Sequence, residues 1–82
     1  MNISLILQEV ISERQRQDEQ WGGIEHDDKH GPDDWVSFIC YQANKISPYN
    51  SFTDNRERFV KVAALAVAAI ERMDRLESKN QA

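Results

Sequence analysis

Residues 25–30 read Glu-His-Asp-Asp-Lys-His, two imidazoles and three carboxylates within six positions. Hard and borderline metals both accept such donors. The spacing is not that of a structural zinc site, which uses helix-spaced His or Cys pairs. His26 and His30 therefore have three open roles: metal ligation, direct ligand contact, or pinning of a loop through Asp and helix-cap hydrogen bonds. Glu9 and Glu13 are four apart, so on a helix they share a face. They either hold a magnesium ion or leave Glu13 to pair with Arg16 or Gln17. Arg56, Arg58 and Lys61 put three cations on two helical turns, and Lys45 precedes them. Guanidinium forks match phosphate oxygens, so this cluster is either a phosphate-contacting patch or a solvated face. Trp21, Trp35 and Tyr41 either stack a base or fill the core. Nothing in the chain has the pattern of a nucleophilic triad, a P-loop or a dinucleotide fingerprint.

Three helices are expected to position these groups, making the chain all-α. Helix 1 spans about 2–20, capped by Asn2 or Ser4 and stopped by Gly22-Gly23. Ile3, Ile6, Leu7 and Val10 share its inward stripe, which continues through Arg14 and Gln17 to Trp21. Either the helix leaves the core there, or Arg14 and Gln17 line a polar pocket roofed by Trp21. Residues 22–31 have no periodicity and read as a loop. Helix 2 spans about 32–47, with Pro32 in its first turn and Asp33 and Asp34 at the positive end of its dipole. Its apolar stripe is Trp35, Ile39, Ala43 and Ile46. Phe38, Tyr41, Gln42 and Lys45 lie on an adjoining face.

Helix 3 spans about 54–77, with Asp54 and Glu57 at capping-box spacing, and runs antiparallel to helix 2 across a short linker. It carries two apolar stripes: Val60, Ala63, Val67 and Ile70, and Phe59, Val62, Ala66, Ala69 and Met73. One is expected to pack within the subunit and the other against a second copy, giving a homo-oligomeric helical bundle. The polar tail from Ser78 is expected to fray.

Eighty-two residues make a single domain with a small core. The sequence has 14 Asp and Glu against 10 Lys and Arg, a net charge of −4. That balance argues against sequence-independent nucleic-acid binding, which needs a basic surface. The charge is uneven: residues 1–34 carry nine acids and three bases, and residues 35–82 carry five acids and seven bases. Pairing between the halves is expected. The longest apolar run is Val62 to Ile70, too short to span a bilayer, and no secretory signal is expected. Cys40 is the single cysteine. It reads as a small buried hydrophobe in a cytoplasmic protein.

The strings ISERQRQDEQWGGIEHDDKHGPDDW and RERFVKVAALAVAAIERMDR, together covering most of residues 9–76, resemble phage and bacterial relatives of the MazG-like all-α nucleotide pyrophosphohydrolases. The resemblance implies an enzyme that cleaves nucleoside triphosphates between the α and β phosphates. Magnesium would be held by carboxylates on two helices. At the positions that match those ligands this sequence has Tyr41, Gln42, Lys45 and Lys61, and only Glu57 remains acidic. A lysine has the wrong sign for a metal ligand. The altered positions imply direct phosphate binding through Lys45 and Lys61, with no cofactor. The expected function is a non-catalytic protein that sequesters or senses a nucleotide or a cyclic nucleotide signal, in the host cytoplasm if phage-encoded. Its ligand contacts would be Arg14, Gln17, Trp21, His26, His30, Trp35, Tyr41, Lys45, Arg58 and Lys61. The alternative is an active magnesium-dependent pyrophosphohydrolase with an atypical ligand set drawn from Glu9, Glu13, Asp28 and Glu57.

Overall fold

A computed structural model describes the backbone of residues 2–81 and the side chains of residues 2–78. Among these the chain forms four helices and no strand: α1 (Ile3–Trp21), α2 (Gly23–Asp27), α3 (Pro32–Ala43) and α4 (Phe52–Gln81). The fold is all-α, but the expected 22–31 loop contains the short α2. Local chemistry accounts for the break before it. Gly22 takes φ 103°, a left-handed conformation that favours glycine, and its N–H donates to Asp18 O at 2.9 Å. Gly23, at φ 63°, turns the chain back into a helical course.

The caps differ in part from expectation. Asn2 Oδ1 accepts from the Leu5 N–H at 3.3 Å and opens α1. Asp34 accepts from the Gly31 N–H at 3.1 Å and steadies the start of α3. The cap of α4 is Ser51, whose hydroxyl accepts from the Asp54 N–H at 3.1 Å, so the helix starts earlier than residue 54. Conversely, α3 stops at Ala43. Lys45 and Ile46 donate to carbonyls three residues back, the tighter pitch common at helix ends. The tail from Ser78, expected to fray, continues the helix to Gln81.

α3 and α4 form an antiparallel pair. Asn55 clamps the turn between them: its Nδ2 donates to Ser47 O at 2.8 Å, and its Oδ1 accepts from the Ser47 N–H at 3.3 Å. α1 lies on α4 in the same sense, with Glu9 beside Arg56 and Arg14 beside Glu71. Val10, Trp35, Ala64 and Ala68 are the buried apolar residues, and Ala64 and Ala68 are 0% and 1% exposed. The small methyl side chains let α1 and α3 both approach α4 closely.

Neither predicted apolar stripe of α4 is that face. At about 100° per residue, Ala64 and Ala68 share their side of the helix with Lys61, Leu65, Arg72 and Arg75. Phe59, Ile70 and Met73 point away and are exposed. The inward stripe of α1 is also partly uncovered. Ile3, Ile6 and Leu7 lie before the first α1–α4 ion pair, at Glu9, and stay exposed. Cys40 is exposed, not buried, because α3 turns its Trp35 side to α4 and its Cys40 side outward. No helix among the described residues is long and apolar enough to cross a membrane.

Candidate functional site

Between α1, α3 and α4 lies a cleft of about 450 Å³, within the range of small-molecule sites. α1 lends it Arg14, Gln17 and Trp21; α3 lends Trp35, Tyr41 and Gln42; α4 lends Arg58 and Lys61. His26 and Asp27 come from α2, and Lys45 from the turn after α3. Nine of the ten expected contact residues thus line one cavity. The tenth, His30, stands behind His26 with its Nε2 3.3 Å from the His26 Nε2. Its ring meets Phe38 and Trp35 edge-on, at 4.9 and 6.2 Å between centroids.

The positive groups of the cleft are of two kinds. Arg14 is engaged by Asp18 at 3.0 Å, Glu71 at 3.1 Å and Asp27 at 3.6 Å. Burial works against its charge, but the hydrogen bonds to Glu71 and Asp18 outweigh that and raise its pKa above the ordinary value. Arg14 is therefore a structural hub joining three helices. Arg16 is likewise held by Glu13 at 2.6 Å and Gln20 at 2.7 Å.

Lys45, Arg58 and Lys61 differ. Arg58 donates to Gln42 Oε1 at 3.0 Å, and Lys45 lies 4.0 Å from the centre of the Tyr41 ring. The hydrogen bond and charge of Lys45 lower the Tyr41 pKa. Glu13 has its pKa lowered by the Arg16 hydrogen bond, against burial, with Lys61 adding a weaker pull. None of these three cations forms an ion pair among the described residues. One side of the cleft therefore holds three cations outside any ion pair, with Glu13 near enough to Lys61 to offset only part of their charge, an excess that draws an anion.

The other side is aromatic. Trp21 is 57% exposed, and its ring lies 5.9 Å from that of His26. Trp35 is buried, and its indole N–H meets no acceptor among the described residues.

The four carboxylates of the alternative magnesium set are not gathered. Glu9 binds Arg56, Glu13 binds Arg16 and Gln17, and Asp28 binds Arg75 at 3.0 Å. Glu57 is exposed and outside the cleft lining. Among the described residues no three His, Cys, Asp or Glu side chains converge on a possible cation. Tyr41, Gln42, Lys45 and Lys61, which the resemblance would put at ligand positions, line the cleft. Their chemistry does not fit magnesium, which takes anionic or carbonyl oxygens.

No family model, curated protein or solved structure matches the chain. Sequence reasoning did not single out Arg16, Gln20, Asp27, Phe38, Leu65 or Ala68 as lining residues. Phe38 had a signal, since it lies three residues after Trp35 on the same side of α3. Leu65 and Ala68 had none, because the apolar centre of α4 offers several equivalent faces.

Proposed function

We propose that the chain binds a nucleotide or cyclic nucleotide in this cleft without hydrolysing it, and so sequesters or senses it. The observation that carries the reading is one cavity with three unpaired cations on one side and stacking surfaces on the other. Lys45, Arg58 and Lys61 would take the phosphate oxygens through charge-assisted hydrogen bonds. Trp21 and Tyr41, both exposed, offer flat faces to a base, and Gln17 offers an amide to its edge. The resemblance to nucleotide pyrophosphohydrolases supports the ligand class, and the replaced carboxylates support the absence of turnover. Hydrolysis at an α–β bond needs an activated water and neutralised charge. Lysines supply the second but do not lower the pKa of a water.

The protein works as a homo-oligomer in this reading. Many large apolar side chains on α1 and α4 are exposed, and a second copy is the occupant that repeats the same outward α4 face.

A thermal-shift panel of nucleotides and cyclic nucleotides, with and without magnesium, tests the reading. A ligand bound only by the native state raises the melting temperature. A metal-independent rise for at least one nucleotide is expected. No shift across the panel sinks the proposal. Magnesium-dependent pyrophosphate release that is lost in Glu57→Gln protein would replace it with the enzymatic reading.

A further inference from the structure

His26 and His30 meet through their outer nitrogens. The two Nε2 atoms are 3.3 Å apart, with ring centroids at 4.6 Å and planes 63° apart. A carboxylate stands at the opposite nitrogen of each ring. Asp27 Oδ1 lies 3.4 Å from His26 Nδ1, and Asp34 Oδ2 lies 3.3 Å from His30 Nδ1. A carboxylate accepts and does not donate, so each ring is favoured in the tautomer with its proton on Nδ1. Both Nε2 atoms are then bare, and two lone pairs face each other. A proton on one Nε2, making a His–His hydrogen bond, or a cation held between the two nitrogens relieves that opposition.

Two nitrogens each about 2.0–2.1 Å from a tetrahedral zinc lie about 3.3–3.4 Å apart, which is the separation seen here. A carboxylate on the remote nitrogen is also the usual support of a metal-bound histidine. We propose that His26 and His30 bind a divalent zinc-type metal through their Nε2 atoms, with Asp27 and Asp34 as positioning residues.

The surroundings hold this geometry. Asp27 is 6% exposed and lies 3.6 Å from Arg14. Asp34 also accepts from the Gly31 N–H. His30 is packed edge-on against Phe38. No third protein ligand joins the pair among the described residues, so water or an anion completes the coordination. Such a site is open, unlike the closed four-ligand sites that hold small zinc domains together. His26 lines the cleft, which puts the metal at its edge. The pairing stands whatever the cleft binds.

The test is titration of the metal-free chain with zinc alone, read by competition with a chromophoric zinc indicator and by the 15N shifts of the two imidazoles. Saturable binding is expected, with both Nε2 resonances shifting and both Nδ1 atoms remaining protonated. His26→Ala and His30→Ala should each abolish it, and Asp34→Asn should weaken it about tenfold. Imidazole resonances unmoved at saturating zinc overturn the proposal, as does a doubly protonated ring that persists with zinc present. Binding undiminished in His30→Ala overturns it too. The 15N reading on the unmodified chain decides the matter even if a variant misfolds. Nucleotide is absent from this titration, so a negative result leaves the nucleotide proposal standing.

Discussion

Lys61 projects from the buried side of α4 into the cleft, where charge removal should be felt most directly. If it donates a charge-assisted, partly buried hydrogen bond to phosphate, Lys61→Ala should weaken a nucleotide ligand by about 1.5–3 kcal/mol. An unchanged dissociation constant by calorimetry would count against the assignment. Its neighbour Glu13 makes a second residue-scale prediction, about acid. The Arg16 hydrogen bond lowers the Glu13 pKa from its ordinary 4.5. A carboxyl whose pKa falls on folding contributes stability that is complete above the unfolded value and is lost as pH drops through the lower folded value. Urea midpoints measured between about pH 6 and pH 3 should therefore fall less steeply in Glu13→Gln than in the unmodified chain. Equal slopes would mean that the pair contributes nothing.

At the scale of elements, the chain depends on ion pairs where another fold would use apolar packing. Arg14 ties α1 to α2 through Asp27 and to α4 through Glu71, and Arg75 ties α4 to the end of α2 through Asp28. Removing one partner of a buried pair leaves the other charge uncompensated. Arg14→Met should cost about 2–3 kcal/mol, less than a fully buried pair because Asp18 and Glu71 reach solvent. Chemical denaturation gives the number directly, and a loss below half a kilocalorie would show the hub to be dispensable. Gly22 is the other element-scale control. At φ 103° an alanine is strained whatever space surrounds it, so Gly22→Ala should destabilise the α1–α2 turn by about 1 kcal/mol.

The whole molecule measures 47 × 27 × 21 Å with a radius of gyration of 14.0 Å, whereas a globule of this length is expected near 12 Å. Its accessible surface is 6233 Å², against about 5,000 Å² for a folded monomer of 9.5 kDa. The excess, on the order of 1,000 Å², is comparable with the roughly 800 Å² that each partner buries in a standard interface. Phe59, Ile70 and Met73 on the outward side of α4 are apolar residues for such an interface. Light scattering of the unmodified chain at tens of micromolar should show an oligomer, and Ile70→Glu should dissociate it without unfolding the subunit, since Ile70 is 57% exposed. A monomeric unmodified chain would sink the prediction.

Helix type and number of long helices were legible in the residues, because capping, glycine stops and apolar periodicity act within a few positions of one another. Asn2, Gly22, Pro32 and Asp34 each act that way. The cations and aromatics of the cleft were also legible as groups, since their spacing put them on common helix faces. Which face of α4 turns inward was not legible. Its centre is apolar all round, and the choice fell to Ala64 and Ala68 because only small side chains let two helices approach at once. That choice sent Lys61 into the cleft and Phe59 outward. The short α2 was likewise decided by tertiary contact. A five-residue helix has too few internal hydrogen bonds to stand alone, and it persists here beside Arg14, Arg72 and Arg75, which come from distant parts of the chain.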